Sequence, residues 1–308
     1  MAINVSAVRD LLLPGLRGVT GEYKQWPAIW PKLFDQGKSE MAQERTASMR
    51  FLPLAALKND GGQTQFDNGA GEAFVYNQLH VGIGLGYAIT RNTIADNLYK
   101  AQFRPSNLGL QRSFAQTKEI YGANVFNNST TYDNTVGGDG VALLAINHPL
   151  PAGGSGPVTW ANTPTTQVDL NESSLLNGMI SIQTGFYDNA GLRMMATGKE
   201  LVIHPNNEPV AQRLLRAELR PGTAMNDPNV IGTVAGGVTS YTKNVFFTSA
   251  YPWYIKTDQP GLLYLEREPF EIDMQVDFTT DNLLVKGWER YSFSYNDPRA
   301  LYGSTPTS

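Results

Sequence analysis

The sequence predicts an α+β fold, on three observations. Residues 91–127 carry apolar side chains three and four positions apart, which is the spacing of one face of an α-helix. Strand-like segments dominate the last quarter of the chain, between Gly- and Pro-containing turns. The final two of these segments, 270–278 and 283–295, are joined by the four residues TTDN, and this arrangement predicts a β-hairpin.

The N-terminal segment predicts an arm that lies on another surface. It concentrates Trp26, Trp30 and Phe34, while Pro27 and Pro31 limit any helix to a few residues. Aromatic side chains at this density need a covering surface. That surface belongs either to the same chain, as ordinary core, or to a neighbouring copy.

Residues 38–86 predict a long β projection with little core of its own. The run Asn59-Asp60-Gly61-Gly62 is a hairpin-turn signal, because glycine accepts positive φ. Residues 74–79 beyond it alternate as a strand does. An isolated hairpin is marginally stable in water. We therefore expect the projection to lie against another body, in this chain or in a neighbour.

The longest predicted helix spans 91–127, and we expect Pro105 to kink or divide it. One face is formed by residues four, three, four and four positions apart: Leu110, Phe114, Thr117, Tyr121 and Val125. Residues 130–168 are rich in Gly, Pro and Ser and predict surface loops.

A mixed domain follows the loops. A helix over 169–184 begins with Asp169 or Asn171 as its cap. The remaining predicted elements are a buried strand over 201–204, a helix over 208–219 and strands over 245–247, 253–256 and 262–267.

Composition narrows the function classes. Charged residues make up 17% of the 308, against a usual value of about 25%, and such a surface is typical of one that other subunits cover. The net charge is −4 and no basic run exceeds two residues, so a gripping nucleic-acid face is not indicated. If this protein meets DNA, we expect it to contain the DNA.

The chain has no cysteine, which excludes disulfides and thiolate metal sites. No stretch approaches 18 apolar residues, so we expect no membrane span. The first residues lack the apolar core and cleavage site of a secretory signal, so we expect assembly in the cytoplasm.

The motifs that can carry chemistry are weak. His80, His148 and His204 lie on different predicted elements without metal-ligand spacing. The one near pair, His204 with Glu208, is interpreted as a strand-end histidine beside a helix-start carboxylate. We predict no catalytic residue, cofactor or metal site.

Two further runs are interpreted structurally. The glycines of 82–86 lack the third glycine of a dinucleotide loop, so we expect them to allow close packing of another backbone. Glu266, Glu268, Glu271 and Asp273 alternate along a strand and predict a solvated or inter-subunit charged face.

Three segments, with their order and spacing, resemble the Hong Kong 97-type phage major capsid protein, especially its Mu-like branch. AITRNTIADNLYK running into LGLQRSFAQTKEIYGANVFNN is similar to the spine helix of that family. GKELVIHPNNEPVAQRLL is similar to its axial strand and helix, and LVKGWERYSFSYNDPRALYGS to its C-terminal strand and tail. The resemblance covers nearly the whole chain.

The resemblance implies a division of the chain. Residues 1–36 would form the N-terminal arm and 37–86 the extended loop (E-loop), a β-hairpin projection. Residues 87–140 together with 262–308 would form a peripheral domain that contains the spine helix. Residues 141–261 would form the axial domain.

The resemblance also implies a function and partners. The chain would be a major capsid protein that assembles with itself, as pentamers and hexamers, into an icosahedral shell around a phage dsDNA genome. Scaffolding, portal and decoration proteins are the further partners implied, with scaffolding expected as a separate protein. The location implied is the virion, after assembly in the host cytoplasm.

Trp26, Trp30 and Phe34 of the arm and Phe51 and Leu54 of the loop are the predicted inter-subunit anchors, with intrachain core as the alternative. Some related shells are cross-linked through a loop lysine and a neighbour's asparagine. Lys58 lies near the loop tip and is the corresponding contact candidate, although no acidic catalyst is located.

Two other functions compete. An encapsulin-type nanocompartment has the same fold and encloses cargo enzyme, and nucleic acid in purified particles would separate the two. A β-rich carbohydrate-binding protein or hydrolytic enzyme belongs to a different class. It would run as a small oligomer in size-exclusion chromatography.

Overall fold

The computed structural model describes residues 27–64, 66–67, 71–96, 99–151, 157–217, 228–229, 231–232 and 237–307. Its helices are α1 Trp30–Leu33, α2 Arg91–Ala95, α3 Tyr99–Asn127, α4 Glu172–Gly185 and α5 Glu208–Arg216. Its strands are β1 Asp35–Lys38, β2 Gln43–Met49, β3 Glu72–Leu79, β4 Val81–Ile89, β5 Gly137–Gly138, β6 His148–Pro149, β7 Thr159–Trp160, β8 Gly198–Ile203, β9 Ser240–Lys243, β10 Trp253–Thr257, β11 Leu262–Val276, β12 Leu283–Tyr295 and β13 Leu301–Ser304. The α+β class predicted from the sequence is confirmed.

A long sheet in the order β1-β11-β12-β4 forms one body with α3 packed against it. Strands β11 and β12 form the predicted final hairpin, in antiparallel register from Leu262 opposite Tyr295 to Val276 opposite Leu283. The turn between them is closed at Asp281, which adopts a φ of 56°. The β-hairpin prediction is therefore confirmed. Strand β12 has the predicted bounds, whereas β11 is one strand where the sequence predicted two separate segments, 262–267 and 270–278.

A second sheet in the order β13-β10-β8-β9 forms the other body. Strand β13 pairs antiparallel with β10, with Trp253 opposite Ser304 and Lys256 opposite Leu301. The division implied by the family resemblance places 262–308 in the peripheral domain. The pairing of β13 with β10 instead puts the last strand in the second sheet. The tail joins the second sheet because Tyr302 is buried in it, with 4% of its surface exposed and its ring packed against Trp253.

The sequence predicted that Pro105 kinks or divides the helix, and of these two alternatives the division does not occur in α3. It runs as one helix of 29 residues through the proline, and a separate short helix, α2, ends at Ala95 before it. Proline removes one backbone hydrogen bond. The loss is tolerated because the helix buries Leu110, Phe114 and Phe126 against the sheet and the adjoining core.

The mixed region follows the predicted pattern with local corrections. Asn171 caps α4 by accepting a hydrogen bond from the Ser174 amide, and Ser174 returns one to the Asn171 amide. This is a capping box, so the alternative cap, Asp169, is not used. Residues 245–247 were predicted as a strand but form a turn, since the Asn244 side chain accepts from the Phe246 amide.

The projection is a hairpin of β2 and β3, with β5 added to its far edge. The predicted turn is present, because the Gly62 amide donates to the Asn59 carbonyl at 3.0 Å and Gly61 has a φ of 73°. Between β2 and β3, the described residues contain no strand. Strand β4 was predicted within the loop, yet it pairs with β12 in the long sheet.

Among the described residues, buried apolar side chains form two larger cores and a smaller third cluster around Phe103. The first packs α1, α3, β11 and β12 together, and its buried members include Leu33, Phe34, Phe126, Tyr264 and Tyr291. The second lies between α4 and the second sheet, and its buried members include Leu175, Ile182, Leu201, Trp253 and Tyr302. The described end of the arm and strand β3 of the hairpin contribute Phe34 and Tyr76 to the first of these cores.

Candidate assembly surfaces

The described part of the chain contains no group of three or more His, Asp or Glu side chains that could hold a metal ion. His204 accepts a hydrogen bond from the Asn206 amide. Glu208 instead pairs with Lys243 at 3.0 Å, and this hydrogen bond holds the pKa of its carboxyl below the usual value. The predicted interpretation of His204 and Glu208 as structural groups agrees with this placement.

The other two histidines are also used internally. His80 lies 2.8 Å from the Ser39 hydroxyl, and burial lowers the pKa of its imidazole, with Arg290 adding to the effect. His148 is fully buried, with its Nδ1 2.6 Å from Asp139 and its Nε2 3.1 Å from Asn162.

Asn162 is a structural residue that sequence reasoning missed. Its amide nitrogen donates to the carbonyls of Leu143, Pro298 and Leu301, and its oxygen accepts from the Ala145 amide. These bonds tie the tail to the loop after α3. No local pattern identifies it, because its partners lie up to 139 residues away.

The glycines of β4 form a cradle for one indole. A Cβ at Gly82 would lie 2.5 Å from Trp288 Cη2, and one at Gly84 would lie 3.3 Å from Trp288 Cε3. A Cβ at Gly86 would lie 2.7 Å from the Val285 carbonyl. The predicted close approach of a backbone is therefore confirmed at Gly86, whereas the first two glycines face a side chain.

The acidic run on β11 lies beside this cradle. Glu268 accepts a hydrogen bond from the Trp288 indole and so holds the ring against the sheet. Glu271 faces Trp288 across the strand pair, and Asp273 faces Lys286. Arg290 lies opposite Glu268, so this is a mixed surface of carboxylates, cations and one indole that is 43% exposed.

The described arm residues, 27–36, include Trp30 and Phe34, which pack against their own chain. Phe34 is 2% exposed and packs edge-on to Phe126 and Phe293. Its prediction as an inter-subunit anchor is corrected, because its apolar surface is already covered. Trp30 is partly buried, with its ring 4.2 Å from that of Tyr264. Trp26 lies outside the described residues.

Two neighbouring residues of α3 hold the arm. Glu119 accepts from the Ile29 amide at 2.6 Å and from the Trp30 amide at 3.3 Å. Burial raises the pKa of its carboxyl, and these two amides only partly offset the rise. Lys118 lies 5.9 Å from the Trp30 ring and pairs with Glu289 at 2.7 Å. Sequence reasoning missed all three charged residues.

The described residues of the loop between β2 and β3 expose several large apolar side chains. Phe51 is 59% exposed, Leu54 70% and Leu57 94%, while Lys58 is exposed at the predicted turn. Soluble monomers rarely expose such contiguous apolar surface. Phe51, Leu54 and Lys58 are thus exposed on the segment between β2 and β3, and their role in contacts with a second subunit stays a prediction.

Several solved structures share this fold. A virus-like particle from Pyrococcus furiosus matches with 8% identity over 93% of this chain and 96% of that chain, with a TM-score of 0.53. The capsid of an empty GTA particle matches with 9% identity over 89% and 88%, with a TM-score of 0.54. The procapsid of bacteriophage JBD30 matches with 12% identity over 98% and 76%, with a TM-score of 0.51. At these identities the likeness concerns the fold.

The architecture is that of a Hong Kong 97-type major capsid subunit. A family profile described as phage capsid protein matches residues 81–304, well over half of the chain. The chain therefore belongs to the phage capsid protein family. No curated protein matches the sequence. Among the described residues, no helix combines the length and the apolar character that crossing a membrane requires.

Proposed function

We propose that copies of this chain close into an icosahedral shell of pentamers and hexamers that encloses a double-stranded DNA genome. The observation that carries this is the exposed apolar segment of the loop, in which Phe51, Leu54 and Leu57 are 59%, 70% and 94% exposed. Membership of the phage capsid protein family supports the same assignment. The subunit acts by association, without a catalytic step, and it contains DNA without reading its sequence.

The contacts we assign to the shell are few and repeated. Phe51 and Leu54 contact a neighbouring subunit, Lys58 lies at the rim of that contact, and the exposed part of Trp30 faces a second copy. Fully burying one such apolar side chain contributes about 1.5–3 kcal/mol. Association itself costs about 4–15 kcal/mol, so one contact is weak alone. Several linked contacts per subunit make the closed shell stable.

The domain boundaries predicted from the sequence become part of this proposal with two changes. Residues 81–86 join the long sheet, and residues 301–304 join the sheet of the axial body. We place assembly in the host cytoplasm and the product in the virion. Scaffolding, portal and decoration proteins complete the particle.

Electron microscopy of the purified protein tests the shell directly. We expect closed particles with five-fold vertices, and a homogeneous small oligomer in size-exclusion chromatography would contradict the proposal. The same outcome would favour a β-rich binding protein or enzyme.

Nucleic acid content separates a phage shell from an encapsulin-type compartment. Particles from infected or induced cells should contain nuclease-protected DNA and absorb strongly at 260 nm. Particles filled with a cargo protein would favour the compartment, which the family match makes the weaker alternative.

A further inference from the structure

The first end of the extended loop follows β2, which ends at Met49. The Arg50 amide donates to the Gly71 carbonyl at 2.9 Å and closes the base of the loop. The register of β2 against β3 shifts between Ala47 and Met49, so regular pairing has already weakened there. Beyond Met49 the direction of the loop is not set by a strand ladder.

A side chain from a distant turn holds this point. Asn189 is 5% exposed, and its Nδ2 donates to the Met49 carbonyl at 2.9 Å. Its Oδ1 accepts from Arg299 Nη2, also at 2.9 Å. A backbone carbonyl only accepts and a guanidinium only donates, so the amide can take only this orientation.

The support behind Asn189 is rigid. Arg299 is 7% exposed and donates to the Tyr187 carbonyl at 2.6 Å, with its guanidinium 5.1 Å from the Trp160 ring. The Asp188 carboxylate accepts from the amides of Ala190 and Leu192, which fixes the turn that carries Asn189. A buried, fully bonded network of this kind holds one geometry.

We propose that Asn189 is the positioning residue that sets the direction in which the extended loop leaves the body. It couples the root of the loop to the buried Arg299 of the tail segment, so the apolar loop is presented to a second copy at a fixed angle. The inference rests on the proposed shell function for its consequence in assembly. The geometry at the loop root is a property of the single subunit.

The substitution Asn189→Asp isolates the role. A carboxylate has nearly the same shape, still accepts from Arg299 and cannot donate to the Met49 carbonyl. Asn92→Asp is the matched control, because Asn92 is exposed on α2 and the charge change is the same. Asn189→Ser, whose side chain is too short to span both partners, is the second variant.

The direction of the loop can be measured in dilute, unassembled subunits. The chain has no cysteine, so Leu57→Cys and Met195→Cys provide two unique spin-label positions, 94% and 96% exposed. We expect a narrow distance distribution in the parent and the Asn92→Asp control, and a clearly broader one in both Asn189 variants. We also expect both Asn189 variants to need a several-fold higher concentration to form shells.

Two outcomes would overturn the inference: unchanged distance distributions in both Asn189 variants, or unfolding of both, which would make Asn189 a residue that the fold itself requires. Failure of the shell proposal is distinguishable. In that case the parent and the Asn92→Asp control form no shells at any concentration, while the distances in the subunit still report on Asn189.

Discussion

At the scale of single residues, a buried ion pair joins helix α3 to the long sheet. The side chains of Lys118 and Glu289 are 7% and 1% exposed and lie 2.7 Å apart. The ammonium also lies 4.9 Å from the Tyr291 ring and 5.6 Å from that of Tyr264, so aromatic faces contribute to its solvation. Such a pair is costly to break, because the remaining charge stays buried.

Replacing one partner should therefore destabilise the subunit strongly. We expect Glu289→Gln to lower the free energy of unfolding by about 3–5 kcal/mol, since Lys118 loses its carboxylate. Chemical denaturation of unassembled subunits measures this. The double variant Lys118→Met with Glu289→Leu should recover most of the loss, and a single variant within about 0.5 kcal/mol of the parent would contradict the assignment.

Replacing either of two glycines by alanine should change the stability of the subunit in opposite directions. Gly86→Ala places a Cβ against the Val285 carbonyl, which belongs to the paired strand and cannot move, so we expect a loss of about 1–3 kcal/mol. Gly109 lies exposed inside α3 with no atom near its missing Cβ. There, Gly109→Ala should stabilise by about 0.5–1 kcal/mol. Equal effects in thermal unfolding would contradict the strand register.

At the scale of elements, the arm is held on α3 by the Glu119 carboxyl, whose two hydrogen bonds only partly offset the cost of burying its charge. Glu119 is 5% exposed, and burial raises its pKa above the ordinary value of 4.5 despite the two amides that it accepts. A raised carboxyl pKa means that the folded state prefers the neutral form. The stability from this group is therefore present below pH 4.5 and is lost as the pH rises through the folded pKa.

The variant Glu119→Gln should remove this pH dependence. We expect the free energy of unfolding of the parent, relative to that of the variant, to fall as the pH rises from below 4.5. Denaturant titrations of both proteins across that range provide the measurement. Parallel pH profiles, or a difference that grows in favour of the parent with rising pH, would show that Glu119 is not buried against the arm.

At the scale of the whole molecule, we expect the buried cores to determine the stability of the subunit and the loop to determine its assembly. The cores beneath the sheets stabilise one subunit, whereas the loop exposes Phe51, Leu54 and Leu57 to solvent. Substitutions in the loop should therefore separate folding from assembly.

We expect Leu54→Asp to raise the concentration needed for shell formation about tenfold or more, since a buried leucine contributes about 1.5–3 kcal/mol and about 1.4 kcal/mol is tenfold. The melting temperature of the subunit should hardly change, because Leu54 is 70% exposed. Val158→Asp, at an 82% exposed position elsewhere, is the control. Light scattering follows assembly, and equal thresholds for the two variants would contradict the loop contact.

Much of the architecture was predictable because it depends on local pattern. The final hairpin, the cap at Asn171 and the turn at Gly61 each follow from neighbours within a few residues. The sequence left open whether α3 is kinked or divided at Pro105, because its continuity depends on burial along the whole helix, which outweighs one lost hydrogen bond. The burial of Phe34 could not be predicted from the sequence either, since an aromatic residue at an interface and one in the core have the same local pattern.

The sequence alone determined the class of fold, the order of its elements, the absence of thiol chemistry and the resemblance to a capsid family. These depend on composition, periodicity and local turn chemistry. Only the tertiary structure decided which sheet receives the tail, which charges bury together at Lys118 and Glu289, and how Asn189 reaches the loop root. Contacts between residues more than a hundred positions apart depend on how the elements pack, and no local pattern encodes that packing.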